Sequence, residues 1–292
     1  MRAEAVVVES GAGGLPRARV TGARAEAEVY LQGGHVTRWQ PQGAAPVLFL
    51  STRATYAPGT AIRGGVPVIF PWFGPHPTDR QAPMHGFARA RPWRLVSGGP
   101  ESAGSVSLEL ALEDDAATRA LWPSAFSLRY RVRVGDALEM ALEVVNTSPA
   151  PFTFEAALHT YLAVGDIRAV GITGLENTTY IDKVDGMARK RHGAEPLRIT
   201  GETDRVFLGT RARCIVDDRA LDRRLSVDKT GSATTVVWNP WATKAARIAD
   251  LEPDDWRRLV CVETANAADD AVTLPAGGRH VMTATLRVEA GA

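Results

Sequence analysis

Alternation of apolar and polar residues along this chain predicts a protein built from β-strands. In FSLRYRVRV, residues 126–134, every even position is apolar, and LEMALEV, residues 138–144, alternates in the same way. A Gly-Asp dipeptide interrupts the pattern between them, so the two runs predict a β-hairpin with one face exposed to water. SVSLELALE before this hairpin and RHVMTATLRVE near the end of the chain alternate as well.

Shorter apolar runs predict further strands, whereas helical periodicity is weak. The additional strand candidates are EAEVYL, PWRLV, TFEAALHTYLAV, RCIVDD, TTVVW and RLVCVE. The best helical pattern covers residues 114–122, and a turn is expected near residues 252–256. No repeat, charged tail or low-complexity linker divides the chain. We therefore expect an all-β protein, a large antiparallel β-sandwich, formed as a single domain over residues 1–292.

The charge balance excludes the simplest electrostatic partners. The 292 residues are enough to bury a large core without a disulfide or metal to hold the fold together. Thirty-four basic and 33 acidic side chains give a formal net charge of +1, which argues against nucleic acid or an anionic membrane as a partner. Any affinity for an anionic ligand must therefore come from a local cluster of cations.

The cysteines and the N-terminal segment bear on the cellular location. Cys214 and Cys261 lie in the apolar runs RCIV and LVCVE, as expected of small core residues in a reducing compartment; one disulfide between them is the alternative. The apolar run near the N-terminus is shorter than that of a signal peptide, and no stretch approaches the length of a membrane span. We expect a cytoplasmic protein, and a monomer, because nothing in the sequence calls for obligate assembly.

His159 is the first candidate for chemistry. If residues 152–161 form one strand, the even positions face the core, and the odd positions, which include His159, line solvent or a cleft. A histidine on the concave face of a sheet, beside a tyrosine, a carboxylate and a threonine, is a plausible acid catalyst near neutral pH. The alternative is a hydrogen-bonded surface histidine.

Glu263 is the second candidate. It ends the apolar run LVCV, where an ionised carboxylate is costly unless it is paired. If Glu263 is buried, its pKa should rise toward the range in which a carboxylate is a useful general base. The alternative is a glutamate at the end of a strand that points to water.

Aromatic residues suggest a sugar as the ligand, and no metal motif competes with that interpretation. VVWNPWATKA, residues 236–245, places two indoles around Asn-Pro; Trp238 could stack on the C–H face of a sugar and Asn239 could orient it, although core packing explains most tryptophans equally well. HExxH, CxxC and closely spaced carboxylate–histidine sets do not occur, so we expect no catalytic metal. GxGxxG, Walker and GxSxG motifs are also missing.

Two neighbouring segments concentrate glycine, proline, aromatic residues and arginine. RGGVPVIFPWFGP begins at Arg63 and HGFARARPW begins at His85. Proline lacks the N–H donor and glycine raises the entropy cost of ordering, so these segments predict short strands and ordered loops instead of a long helix. Arginine binds phosphate or carboxylate well, and ordered loops often carry binding groups. The alternative is an irregular connection with solvated arginines.

Seven segments in one order resemble the hexose-6-phosphate mutarotases, the phosphosugar branch of the aldose 1-epimerase group. The segments extend from residue 62 to residue 263, which is most of the chain. They are IRGGVPVIFPWFGP, HGFAR, LHTYLAVGDI, TYIDK, GETDRVF, VVWNPWATKA and VCVE. The resemblance implies a galactose-mutarotase-like β-sandwich with a sugar in a cleft on one sheet. It also implies interconversion of the α and β anomers of a hexose 6-phosphate, of which glucose 6-phosphate is the expected one.

The resemblance also assigns residues to roles. It implies that His159 and Glu263 are the catalytic pair, with Glu263 as base and protonated His159 as acid. The remaining matches imply substrate contacts at Arg63, His85, Arg89 and Asp204. The loop arginines Arg63 and Arg89 would then lie at the mouth of the sugar cleft and are the leading candidates to bind the phosphate. Only protons move in such a reaction, so no metal or organic cofactor is expected.

Two departures and two alternatives accompany this interpretation. Relatives often carry glutamine where this chain has Met84, which has no amide to hydrogen-bond a substrate. The residues after Glu263, TANAADD, lack the expected PG turn, so the support of that carboxylate differs. An epimerase of unphosphorylated aldoses and a non-catalytic sugar-binding protein of the same fold are the competing functions.

Overall fold

Antiparallel β-strands are the predominant regular structure of the chain, and a computed structural model describes residues 5–291. In chain order the strands are Val6–Ser10 (β1), Pro16–Thr21 (β2), Ala25–Tyr30 (β3), His35–Pro41 (β4), Val68–Ile69 (β5), Arg94–Pro100 (β6), Val106–Glu113 (β7), Phe126–Val134 (β8), Ala137–Asn146 (β9), Phe152–Phe154 (β10), Ala156–Leu158 (β11), Tyr161–Ala163 (β12), Val170–Thr173 (β13), Thr179–Asp182 (β14), Ala188–Arg191 (β15), Thr203–Phe207 (β16), Cys214–Asp218 (β17), Arg223–Thr230 (β18), Thr234–Asn239 (β19), Leu259–Asn266 (β20), Val272–Leu274 (β21) and Arg279–Ala290 (β22).

Helices are few and short. The α-helices are Ala116–Leu121 (α1) and Trp241–Ala245 (α2). Single 3₁₀ turns occur at Ala12–Gly14, Ala88–Ala90, Ser102–Gly104, Ile167–Ala169, Arg219–Leu221, Asp255–Arg257 and Ala268–Asp270. Helix α1 lies where the sequence predicts one, and it begins with a capping box in which Asp115 and Thr118 bond each other's backbone N–H. Within residues 5–291, none of the helices is long and apolar enough to cross a lipid bilayer.

Two eight-stranded sheets form the body of the molecule, as the predicted all-β sandwich requires. One sheet has the order β13-β17-β18-β22-β9-β8-β7-β6, and the other runs β15-β14-β16-β19-β20-β11-β5, with β12 also paired to β20. A four-stranded sheet, β1-β2-β3-β4, and the pair β10-β21 complete the set. The main apolar core contains residues of both large sheets, for example Leu142 from one and Val262 from the other. The organisation as a single domain over residues 1–292 stays a prediction.

The hairpin that the alternating pattern predicts is present and well ordered in register. Strands β8 and β9 pair antiparallel from Phe126 opposite Asn146 to Val134 opposite Leu138. The even positions of both strands are buried and their neighbours are partly exposed. Burial of one face therefore fixes the register, because a slip of one residue would move the whole apolar set into water.

The run TFEAALHTYLAV was predicted as one strand, and the structure corrects this to three short strands, β10, β11 and β12. Strand β10 pairs with β21, whereas β11 and β12 both pair with β20. The chain breaks between β11 and β12, where the His159 N–H donates to the carbonyl of Pro67 and Thr160 N–H turns back to Leu158. The predicted alternation of faces survives the breaks. Ala157 lies in a different apolar cluster from Ala156 and Leu158.

Gly64 and Gly86 hold the two arginine-bearing loops against the sheet. Both have positive φ, +107° at Gly64 and +71° at Gly86. A Cβ at Gly64 would lie 2.4 Å from the carbonyl oxygen of Phe49, and one at Gly86 would lie 2.0 Å from that of Phe70. Backbone approaches of this closeness exclude any side chain, so the glycines of RGG and HGF set where the arginines beside them emerge.

We predict that Gly86→Ala destabilises the protein, because the added Cβ collides with backbone and the left-handed φ disfavours alanine. The free energy of unfolding should fall by at least about 2 kcal/mol, measured by urea denaturation. Gly99→Ala is the matched control, since its Cβ meets nothing within 4 Å. It should change the free energy of unfolding by less than about 0.5 kcal/mol. Equal stability of the two variants would refute this account of the loop.

Candidate active site

A cleft on the sheet that contains β20 collects most of the predicted site residues. Its volume is about 360 Å³. Seven of the eight predicted site residues line it: Arg63, His85, Arg89, His159, Asp204, Trp238 and Glu263. These residues come from loops and strands spread over 200 positions of sequence, so only the folded sheet brings them together.

Glu263 lies in the apolar floor of this cleft. On β20 it has Cys261 and Ala265 as its neighbours on the same face, and Val236 of β19 lies directly opposite. The next residue across the sheet is Val206 of β16. The carboxyl group is 1% exposed, and its Oε2 atom has no hydrogen-bond partner among the described residues. The alternative of a strand-end glutamate pointing to water is therefore wrong.

His159 faces Glu263 from the break between β11 and β12. Its Nε2 atom lies 3.4 Å from Oε1 of Glu263, and its side chain is 9% exposed. Its Nδ1 atom is buried and has no hydrogen-bond partner within residues 5–291. The alternative of a hydrogen-bonded surface histidine is likewise wrong. The two groups form a buried acid–base pair at the bottom of a cleft.

Burial shifts the pKa of each member of the pair in the direction that favours its own uncharged form. Desolvation raises the pKa of Glu263 well above 4.5; the nearby Asp204 raises it further, while Lys183 and Arg89 lower it. Desolvation also lowers the pKa of His159 well below 6.5, and the positive groups around it lower that pKa further. The two facing atoms are 3.4 Å apart, so the ionisations are coupled and belong to the pair.

His85 contributes a hydrogen-bond donor of fixed tautomer. The N–H of Gly74 donates to its Nδ1 atom at 3.1 Å, so in the neutral ring the proton is on Nε2. Desolvation, with Arg89 next in size, lowers the pKa of His85 to about 2, which keeps the ring neutral. The backbone of His85 has a positive φ of 65°, an uncommon conformation for histidine that the Gly74 contacts support.

Four cations line the cleft, of which the sequence predicts two. Arg89 is held by a bond from its Nη2 to the carbonyl of Met84, at 2.7 Å. Arg63 is bound to other side chains of the protein. Lys183 and Lys244 were not predicted as site residues, although each lies within a segment quoted for the resemblance, TYIDK and NPWATKA. The net charge of the whole chain conceals this local cluster of positive groups.

Asp204 forms a salt bridge with one of the cleft lysines and also acts electrostatically on Glu263. It accepts a salt bridge from Lys183 at 3.3 Å, and Lys183 also lies over the ring of Phe73, 5.2 Å from its centre. Desolvation raises the pKa of Asp204, and Lys183 opposes that shift. Lys244, at the end of α2, pairs with Glu202 at 2.7 Å. Both lysines are therefore held at the cleft by carboxylates of β16 or its preceding loop.

The prediction of a sugar contact for Asn239 is wrong, whereas Trp238 lines the cleft. Asn239 is completely buried; its Nδ2 donates to the carbonyls of Trp256 and Leu259, and its Oδ1 accepts from the N–H of Trp241. These bonds use the amide to hold the turn into α2. Strand alternation places adjacent residues on opposite faces, so Trp238 and Asn239 could not both face the sugar.

Tyr161 is a further cleft residue that the sequence interpretation left without a role. Its ring stacks on that of His159, with centroids 4.8 Å apart and planes 10° from parallel. Trp238 meets both rings edge-on. The alternation of the 152–161 run already places Tyr161 on the same face as His159, which is the signal that could have identified it.

The donor set at the cleft floor does not favour a resident metal ion. His159, Cys261 and Glu263 are the described residues whose ligand atoms come together, within 4.8 Å of one another. Burial raises the pKa of the Cys261 thiol well above 9, so it stays protonated and is a poor ligand. The arginines and lysines of the cleft add positive charge, which opposes a divalent cation. Both cysteines are buried and free, and no disulfide joins them.

Comparisons with known proteins agree on one family. The family model described as aldose 1-epimerase matches residues 18–287. A protein of Escherichia coli K12, named provisionally as a glucose-6-phosphate 1-epimerase, is 38% identical over 84% of this chain and 81% of its own length. A protein of Cenchrus ciliaris with the same name is 34% identical over 90% of this chain and 82% of its own length.

Solved structures agree with this family. The crystal structure of a Salmonella typhimurium protein, described provisionally as a mutarotase, superposes with a TM-score of 0.88 at 31% identity. That match covers 98% of this chain and 97% of the other. Galactose 1-epimerase from Lactobacillus acidophilus shares the fold at 14% identity, with a TM-score of 0.74 and 98% of each chain covered.

We predict opposite shifts in the pKa of Glu263 when its charged neighbours are neutralised. Asp204→Asn removes an anion and should lower this pKa, whereas Lys183→Met removes a cation and should raise it. Infrared spectroscopy follows the carboxylic acid C=O band during a pH titration, and the band of Glu263 is the one that Glu263→Gln removes. Shifts in the same direction for both variants would contradict this electrostatic arrangement.

Proposed function

Because the chain belongs to the aldose 1-epimerase family, we propose that it interconverts the α and β anomers of a hexose 6-phosphate, with glucose 6-phosphate as the expected substrate. The observation that carries this proposal is the buried pair formed by His159 and Glu263, whose facing atoms are 3.4 Å apart. Cations around the same cleft support a phosphorylated sugar as the ligand. A cytoplasmic, monomeric protein stays a prediction from the sequence.

The proposed reaction needs a base and an acid at two oxygens bonded to the same carbon. Glu263 takes the proton of the C1 hydroxyl while His159 gives a proton to the ring oxygen, and the bond between C1 and that oxygen breaks. The open aldehyde rotates about C1–C2, and the ring closes with both proton transfers reversed. The short distance between the two side chains suits this chemistry, because the two oxygens are themselves neighbours.

The pair can prepare itself for this reaction without exchanging a proton with solvent. The neutral pair, with the proton on Glu263, and the ion pair, with the proton on His159, contain the same number of protons. Desolvation favours the neutral pair in the free protein, and transfer of one proton from Glu263 to His159 creates the base and the acid together. The raised pKa of Glu263 makes it a stronger base than an exposed carboxylate, and the lowered pKa of His159 makes it a stronger acid.

The rest of the cleft suits a pyranose. Val236 and Trp238 offer apolar surface to the C–H groups of the ring, and His85 offers an N–H donor to an oxygen. Lys183, Lys244 and Arg89 are the cations we assign to the phosphate. This revises the sequence interpretation, which gave the phosphate to Arg63 and Arg89. Two of the guanidinium nitrogens of Arg63 already bond to protein groups.

We predict that Glu263→Gln and His159→Gln each slow anomer exchange by at least about 100-fold, because a positioned proton-transfer group contributes 10²- to 10⁴-fold. Two-dimensional exchange NMR measures the rate on glucose 6-phosphate directly from the α and β resonances. Circular dichroism confirms that both variants remain folded. Exchange near the wild-type rate in either folded variant would overturn the assignment of the pair.

We also predict that Lys183→Met and Lys244→Met discriminate between phosphorylated and free sugar. Each should lower kcat/KM for glucose 6-phosphate about tenfold more than kcat/KM for glucose, the low end of what a charge-assisted hydrogen bond contributes. Lys183→Met also raises the pKa of Glu263, and that effect is common to both sugars. Lys190→Met is the matched control. That lysine is also salt-bridged to aspartates near β14 but lies outside the cleft lining.

The two sugars decide between the competing functions. Equal losses on glucose and glucose 6-phosphate in the cleft variants, or a loss in Lys190→Met as large as theirs, would contradict a phosphate role for these lysines. A wild-type protein that does not prefer the phosphorylated sugar would favour the epimerase of unphosphorylated aldoses. A protein that binds sugar phosphate but accelerates neither exchange would be the non-catalytic alternative.

A further inference from the structure

Arg63 is held by two protein side chains on separate segments. Its Nε donates to Oδ1 of Asp250 at 3.1 Å, and its Nη1 donates to the hydroxyl of Tyr161 at 2.9 Å. The pKa of Arg63 is raised, with Tyr161 the largest cause and Asp250 a further one, against the effect of burial. A two-pronged grip on phosphate through the Nε and Nη2 edge would require Arg63 to give up its bond to Asp250.

Asp250 is itself fixed in place. Its neighbour Leu251 is 1% exposed, in the same apolar cluster as Tyr161. The carbonyl of Leu251 accepts a bond from Nη1 of Arg53 at 3.2 Å, and the backbone N–H two residues before Arg53 donates to the carbonyl of Arg63. The segment that carries Asp250 and the loop that carries Arg63 are therefore both hydrogen-bonded to residues 51–53.

Tyr161 connects Arg63 to His159, because its hydroxyl bonds Arg63 and its ring contacts the imidazole. The two rings are stacked 4.8 Å apart and almost parallel. A catalytic histidine is commonly oriented by a hydrogen bond to its second ring nitrogen. Nδ1 of His159 has no such partner within residues 5–291. The plane of the imidazole is therefore set by ring contacts: the face of Tyr161 lies parallel to it, and the rings of His85 and Trp238 meet it edge-on.

We propose that Asp250, Arg63 and Tyr161 form a positioning chain that orients the imidazole of His159 toward Glu263. Arg63 then acts through Tyr161 and is not the residue that selects the phosphate. The inference rests on the proposed function for its kinetic consequences, but the orientation of His159 can be observed without turnover. It adds Tyr161 and Asp250 as positioning residues.

Three substitutions separate the links of the chain. Tyr161→Phe keeps the stacked ring and removes the hydroxyl, Asp250→Asn weakens the other bond to Arg63, and Tyr161→Leu removes the stack. Tyr180→Phe is the matched control, because Tyr180 is a buried tyrosine that packs against the ring of Phe207 outside the cleft lining. Thermal unfolding verifies that each variant is folded.

The chain predicts a loss in kcat that does not depend on the phosphate. Tyr161→Phe and Asp250→Asn should each lower kcat about tenfold on both glucose 6-phosphate and glucose, with KM changed less than about twofold. Tyr161→Leu should lower kcat about 100-fold, the effect of a misplaced catalytic group. In the double variant Tyr161→Phe/Asp250→Asn, kcat should stay within about threefold of the kcat of the slower single variant, because both substitutions break the same chain.

An NMR measurement of the His159 ring supplies a readout that is independent of activity. In Tyr161→Phe and Asp250→Asn the imidazole resonances should shift or broaden, while those of His280, which bonds to the carbonyl of Gly231, should stay unchanged. Unmoved His159 resonances would overturn the proposal, and so would an increase in KM for glucose 6-phosphate alone, which would make Arg63 a phosphate ligand. If the wild type accelerates neither sugar, the proposed function fails and the His159 resonances alone decide the inference.

Discussion

The burial of His159 and Glu263 against each other is the constraint on which the rest of the site depends. Burying two ionisable groups costs free energy unless their charges are paired or neutralised. Because the facing atoms of this pair are 3.4 Å apart, one proton can pass between them. The apolar neighbours of Glu263 on the sheet create the desolvation that raises its pKa. The surroundings that make the pair expensive for folding are the ones that, in the proposed function, make it reactive.

The cations of the cleft have two separate relations to this pair. Arg63 is bound within the protein and bears on the orientation of His159, whereas Lys183 lies next to Asp204 and bears on the pKa of Glu263. A phosphate that draws Lys183 away from Asp204 would change the electrostatic field at the pair. Binding at one end of the cleft and proton transfer at its floor are thus electrostatically connected.

Much of the fold follows from the sequence, because alternation and burial are local signals. The hairpin of β8 and β9 and helix α1 appear where the pattern predicts them. The run TFEAALHTYLAV appears instead as three strands. Its alternation is continuous, but its hydrogen-bond partners are not, and the change of partner strand from β21 to β20 leaves no trace in the run itself.

The site is predictable in part, and its gaps have physical reasons. Strand parity identifies the face that carries His159, and an apolar run marks Glu263, while the resemblance supplies the pairing of the two. The bond from Arg63 to Asp250 joins residues 187 positions apart, a distance at which no pattern in the sequence reports contact. Asn239 was misassigned because its amide satisfies buried backbone groups, and sequence alone does not show which polar residues are already satisfied.

A crystal structure of the Glu263→Gln variant with glucose 6-phosphate tests the central claim most directly. The account predicts that the C1 hydroxyl lies within hydrogen-bond distance of residue 263 and that the ring oxygen lies within hydrogen-bond distance of His159. The phosphate should contact Lys183 or Lys244. A sugar bound with C1 turned away from the pair, or a phosphate held by Arg63 in place of its bonds to Asp250 and Tyr161, would contradict it.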